Sequence, residues 1–138
     1  DAAPIASNWE EADTYGAGVL GSSMTESSGI FTFPSTGFWH IIFAIDQSHT
    51  AASRYNGGEM YVTLDNSSYS FVSQCYQSLY DDGSGVSSSA MLNYVLDVTN
   101  TTNVKVKFHS QVLISGTTTG GSTNDNRTYA TFIRLGDT

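Results

Sequence analysis

Along most of the chain the apolar positions recur at every second residue. In "VKVKFHSQV", Val104, Val106, Phe108 and Val112 fall on one side, with Lys105, Lys107, His109 and Gln111 on the other. In "EMYVTLD", Met60, Val62 and Leu64 oppose Glu59, Tyr61, Thr63 and Asp65, and in "LNYVLDV" Leu92, Tyr94, Leu96 and Val98 share a side. Side chains alternate across a strand, so each run predicts a strand with one core face and one wetter face. "RTYATFIRL" is mixed, with Tyr129, Thr131, Ile133 and Leu135 against Ala130, Phe132 and Arg134. No window holds a 3.6-residue period. Small polar clusters punctuate the chain, at "NGG" 56–58, "DNSS" 65–68, "DDGSG" 81–85, "TNTTN" 99–103 and "GTTTGGSTNDN" 116–126. Short β-rich runs between frequent turns predict an all-β sandwich or barrel.

One stretch departs from alternation. From Phe38 to Ile45 the only polar side chain is His40. Trp39, Ile41, Phe43 and Ile45 make one face, and Phe38, His40, Ile42 and Ala44 make the other. "PSTG" at 34–37 reads as a hairpin loop, with proline pre-setting a turn dihedral and Gly37 free to adopt a left-handed one. That reading pairs the strand of Phe31 and Phe33 with Phe38–Ile45. A two-layer sandwich has a single interior, so the second face needs a cover. The segment "IASNWEEADTYGAGVLG" is one candidate, but it offers few bulky groups. Another copy of the chain is the preferred one, because apolar patches of this kind are normal in obligate oligomers. Phe31, Trp39, Ile41, Phe43 and Phe108 are expected in the core, and Phe38, His40, Ile42 and Ala44 at the contact between copies.

The chain's 138 residues suit one domain, long enough to hold a core without disulfides or metal. The chain opens at Asp1 with no visible secretory signal, and reads as a processed chain or the C-terminal part of a longer one. A net charge of −8 repels phosphate backbones, so nucleic acid is not an expected partner. No apolar run reaches the ~20 residues of a membrane-spanning helix, so membrane insertion is not expected. Cys75 is the only cysteine. It excludes an intrachain disulfide and a cysteine-based zinc site, and reads as a small buried hydrophobe.

Candidate chemistry is sparse. His40, His49 and His109 lie far apart with no paired-histidine zinc motif, and no Gly-x-Ser-x-Gly elbow is present. Glu59, Asp65 and Asp97 have no spacing that marks a glycosidase pair. No catalytic residue, metal or cofactor is therefore expected. "DDGSG" and "GGSTNDN" carry oxygen ligands suited to calcium, but neither follows the helix–loop–helix pattern, and ordinary turn chemistry is the simpler reading. Asn66, Asn100 and Asn126 head Asn-x-Ser/Thr triplets, no more than this Ser- and Thr-rich composition gives by chance. Tyr55, Tyr69, Tyr76 and Tyr80 are read as lying near loops, where tyrosine gives contact area at low entropic cost. Asp81, Asp82, Asn124 and Asp125 mark the two glycine-rich loops through which an outside partner would be held.

Phe31, Gly37, Trp39, Ile41 and Phe43 follow a pattern: a phenylalanine, five residues, a glycine, then large apolar residues at alternate positions. That pattern resembles the first strands of the jelly-roll family shared by tumour necrosis factor and the globular heads of complement. Trp39 and Ile41 stand where tyrosine and phenylalanine are usual. Met24 and Val19 depart from the family's upstream positions. "TYATFIRLGD" resembles the family's closing strand, with Tyr129 and Phe132 at its aromatic positions, and "LDVTNTTNVKVKF" is similar to its penultimate hairpin. The resemblance spans roughly residues 5–136. It implies an antiparallel jelly roll, a homotrimer, and a recognition role rather than an enzymatic one. "GSSMTESSGIFTFPSTG" also resembles structural proteins of bacterial viruses. The setting so implied is a virion surface, as a fibre or knob tip or a capsid decoration, with other virion proteins or a host-surface glycan or protein as partner. A secreted complement-head-like domain is the alternative, and a carbohydrate-active enzyme a more distant one.

Overall fold

The computed structural model describes residues 1–81 and 83–138. They form nine strands in two sheets, with no helix among them: β1 (Thr25–Ser27), β2 (Ile30–Thr32), β3 (Gly37–His49), β4 (Ser53–Thr63), β5 (Tyr69–Leu79), β6 (Val86–Val98), β7 (Lys105–Val112), β8 (Thr118–Thr119) and β9 (Tyr129–Gly136). The first sheet has the order β1-β2-β7-β4-β5. In the second, β3 pairs with β6 from Gly37 to His49, and its other edge takes β9 over Phe38–Ala44 and β8 at Gln47–Ser48. Every pairing is antiparallel. Three of them nest along the chain: β2 with β7, β3 with β6, β4 with β5.

Alternation puts the core where two inward faces meet. Trp39, Ile41, Phe43 and Ile45 on β3 and Leu92, Leu96 and Val98 on β6 face Met60 and Val62 on β4, Val106 and Phe108 on β7, and Phe31 on β2, all buried. Phe43 and Phe108 stack across the sheets with centroids 4.5 Å apart. Gly58 makes room for that stack, since a Cβ there would lie 2.5 Å from the Phe43 ring. Removing a ring of this kind costs on the order of 3–5 kcal/mol, because both its transfer energy and its cavity count.

Two turns do something other than what the local pattern predicts. "PSTG" does not return the chain to a neighbouring strand: β2 belongs to the first sheet and β3 to the second. Phe33 and Trp39, at the two feet of the turn, both point inward with centroids 5.4 Å apart, and the Trp39 indole donates to the Ser35 carbonyl at 3.2 Å. Burying both rings between the layers requires the chain to arch over the core. Likewise β6 and β7 lie in different sheets, so "LDVTNTTNVKVKF" is an arch and not a hairpin. A four- or five-residue turn reads the same in sequence whichever job it does.

The N-terminal segment runs along β7. Ile5 donates to the Phe108 carbonyl at 2.8 Å, Ser110 to the Ala2 carbonyl at 2.9 Å, and Val112 to the Asp1 carboxylate at 2.7 Å. It thereby extends the short β2 along the same edge. Gly29 is needed here: its φ is +80° and a Cβ would collide with the Ile5 carbonyl oxygen. Trp9 then closes the open side of the core, against Phe31 at 5.0 Å and Phe108 at 6.0 Å. The segment therefore does not cover the outer face of β3.

Three further side chains sit differently from the simple alternation. Leu64 is exposed, because β4 ends at Thr63 and the chain turns away. Thr63 is buried rather than wet, its hydroxyl donating to Asp65 at 2.8 Å. Cys75 is half-buried, its thiol 3.7 Å from the Gly58 carbonyl, and burial pushes its pKa up.

Candidate functional site

The outer face of the second sheet is built from three adjacent strands. Cross-strand rows run Val95–His40–Ile133, Asn93–Ile42–Thr131 and Met91–Ala44–Tyr129. Of the sequence candidates, Phe38 is exposed, His40 and Ile42 are half-buried, and Ala44 is covered by its neighbours. The face extends beyond them. Met91 and Val95 on β6 and Ile133 and Leu135 on β9 join it, and exposure runs from 40% at Phe38 to 61% at Met91. Leu135 continues the side of Tyr129, Thr131 and Ile133, and a bulge beside it sets Phe38 against Gly136 while Trp39 faces Arg134. Opposite Phe38, the Asp97 Oδ1 is buried without a hydrogen-bond partner. Met91 and Val95 were legible as the reverse side of the Leu92–Leu96 alternation. Ile133 and Leu135 were legible too, on the Tyr129–Leu135 side of the alternation; the bulge beside them was not, because it leaves no mark on the period.

At one end of the sandwich, Ser48, His49, Thr50, Gly85, Val86, Ser87, Gly116 and Thr118 line an open depression of about 210 Å³. The loop before β6 and the segment entering β8 thus meet at one end. Asp81 is exposed, its carboxylate accepting from the Gly83 amide at 2.8 Å, while Asp82 lies outside the described residues. Residues 116–126 are not irregular throughout, since Thr118 and Thr119 form β8. The tip is tied by its own side chains. Asp125 accepts from the Ser122 hydroxyl and from Arg127 Nε at 3.1 Å, and these contacts hold its pKa below the usual carboxylate range. The Asn124 amide donates to the Ser122 hydroxyl at 3.2 Å. Among the described residues no three His, Cys, Asp or Glu side chains gather as a metal site.

The outer face of the first sheet differs in chemistry. Its rows run Gln111–Gly57–Tyr76, His109–Glu59–Gln74 and Lys107–Tyr61–Phe71. Tyr55 joins at the edge, edge-to-face with Tyr76 at 5.6 Å. Tyr55 and Tyr76 therefore lie within strands, while Tyr69 opens β5 directly after the 65–68 turn and Tyr80 follows the end of β5. Glu59 Oε2 accepts from the Tyr61 hydroxyl at 2.9 Å and from Gln111 Nε2 at 3.1 Å. The His109 ring stacks on Tyr61 at 4.2 Å, and Lys107 Nζ sits 4.3 Å above the Tyr69 ring. Burial, then the Lys107 charge, push the His109 pKa down, against a smaller opposite pull from Glu59. The sequence hid this cluster, because β5 carries a bulge: Met60 faces Ser73 while Tyr61 faces Phe71. The extra residue, Val72, shifts parity, so Phe71 and Tyr76 share a side although they are five residues apart.

Neither a protein-family model nor a curated protein matches the sequence.

Proposed function

We propose that this chain is a non-enzymatic head that assembles as a homotrimer on a virion surface, as a fibre or knob tip or a capsid decoration, serving attachment or particle structure. We read its sandwich as a jelly roll of the tumour-necrosis-factor and complement-head type. The nested pairing of β2 with β7, β3 with β6 and β4 with β5 supports that topology, since a rolled-up ribbon of strands pairs in this way. The low charge and the abundance of Ser, Thr, Asn and Gly support the virion setting.

The observation that carries the assembly is the aliphatic outer face of the second sheet. Phe38, Met91, Val95, Ile133 and Leu135 stand exposed around Ile42 and Ala44. The one segment of this chain that offered itself as a cover is hydrogen-bonded along β7 instead. Large contiguous apolar patches are rare on monomers and typical of contacts between subunits. The unpartnered Asp97 Oδ1 at the rim would take its hydrogen bond from the neighbouring copy. Light scattering at micromolar concentration tests the reading. Three times 14.8 kDa is expected, and a monomer overturns it. Mass spectrometry of purified particles tests the setting.

A further inference from the structure

The outer face of the first sheet has polar groups that its own contacts leave incomplete. Glu59 is only 8% exposed and His109 only 9%, although both lie on the side of the sheet away from the core. The Glu59 carboxylate is held by Tyr61 and Gln111 through Oε2. His109 Nε2 is buried and has no hydrogen-bond partner. Leaving such an atom unpaired costs more than a made hydrogen bond returns, so it marks a place where a further partner belongs.

The surroundings restrict what that partner can be. A carboxylate next to an uncharged imidazole disfavours an anion, and Lys107, the nearby cation, lies over the Tyr69 and Tyr61 rings. Among the described residues, Glu59 does not belong to any group of three acidic, His or Cys side chains that would hold a cation. A neutral hydroxyl fits both, because it donates to a carboxylate and either donates to or accepts from an imidazole nitrogen. Around this polar centre Tyr55, Tyr76 and Phe71 are each about half exposed, on either side of Glu59. The Tyr76 and Phe71 rows are four residues apart along β4, roughly 13 Å by the rise of a strand. A short chain of sugars covers that length where a single sugar does not. The electron-rich faces of aromatic rings attract the polarised C–H face of a pyranose, while the hydroxyls at the ring's edge reach the side chains between them.

We propose that this face binds a neutral oligosaccharide of flat pyranose rings, its C–H faces on Tyr55, Tyr76 and Phe71 and its hydroxyls on Glu59, His109 and Gln74. The site rests on the reading of the chain as an attachment head, for which it would be the point of contact with a surface glycan, but it does not require the trimer.

The full chain is titrated to about 10 mM with β-1,4-linked glucose hexamer and with β-1,4-linked N-acetylglucosamine hexamer, followed by NMR and calorimetry. Binding of at least one is expected, with shifts confined to the Tyr55, Phe71 and Tyr76 region. Tyr55→Ala with Tyr76→Ala should weaken it about tenfold or more. These rings are exposed, and an unchanged melting temperature confirms that the variant is folded. Glu59→Gln, which keeps the shape, should weaken it too, while Leu20→Ser on the exposed N-terminal loop should leave it unchanged. Absence of binding by both sugars overturns the proposal, and so does binding that the ring variants leave intact. Light scattering of the same samples separates this from the assembly reading. If the ring substitutions change the mass instead of the sugar affinity, the face joins protein copies and the glycan site is wrong. If the protein is monomeric and still binds sugar through these rings, the assembly reading alone fails.

Discussion

The two outer faces of this sandwich are made by the same device and differ in what they leave undone. On the second sheet, Phe38, Met91, Val95, Ile133 and Leu135 offer exposed apolar area, interrupted by the Asn93 and Thr131 that flank Ile42. On the first, Tyr55, Tyr76 and Phe71 offer rings around Glu59, His109 and Gln74. An aliphatic face gains free energy from any dry, complementary surface, and its own copy supplies one at every encounter. An aromatic and polar face gains only from a partner that also satisfies its donors and acceptors. On the reading proposed above, the difference separates a surface suited to assembly from one suited to selection, with the Phe43–Phe108 stack as the shared frame between them.

The harshest way to break the comparison is to remove that frame. Phe43→Ala should cost on the order of 3–5 kcal/mol in urea unfolding and weaken both faces together. A sharper test places one charge on each face. Ile42→Asp should dissociate the proposed trimer, because assembly would bury unpaired carboxylates, while the monomer keeps its melting temperature to within a few degrees. Thr63→Asp on the other sheet should do the reverse. Thr63 is fully buried and holds Asp65, so the substitution should lower the melting temperature markedly. A mass change in the second variant and none in the first would exchange the roles given to the two faces.

Acid should act on the aromatic face first. The folded-state pKa of His109 lies below its ordinary 6.5, so the unfolded chain binds the proton more readily. This group leaves stability untouched well above pH 6.5 and reduces it as pH falls below 6.5. His109→Phe should flatten that part of the denaturation profile measured from pH 7.5 to 5. The smallest effect belongs to the turn after β4. The Ser68 and Ser67 amides and the Thr63 hydroxyl hold the Asp65 pKa down from 3.8 to about 2. Its contribution is fully present above pH 3.8 and is lost as pH falls toward 2. Asp65→Ala should abolish that step and leave both outer faces as they were.

Much of the architecture can be read from period and punctuation. The strands of Met60 and Val62, of Leu92 and Leu96 and of Val106 and Phe108 alternate in sequence as they do in space. The double-sided character of Phe38–Ile45 is equally plain, because it depends only on which residues have polar atoms. Alternation states which side chains share a face, and burial follows from their chemistry.

What the local pattern could not carry is long-range. Whether Pro34–Gly37 returns to a neighbour or arches over the core depends on Phe33 meeting the Trp39 and Phe132 rings of the second sheet. The path of residues 1–9 depends on a free edge of β7 that exists only once β2 has stopped short. The buried amides at the far end of the interior are another case. Gln47 and Asn56 are fully buried, and Gln47 is held by the Gln111 carbonyl at 3.2 Å and by Gln77 at 3.4 Å, partners 64 and 30 residues away. The aromatic face was hidden by one bulge, whose extra residue at Val72 moves Phe71 and Tyr76 onto one side. The amino-acid sequence by itself determined the strands, their inward faces and the surplus apolar face of β3, because these follow from residue chemistry and a two-residue period. Only the tertiary structure decided which strands pair, where the chain crosses between layers and which polar groups stay unpaired, because each is settled by contacts between residues far apart in the chain.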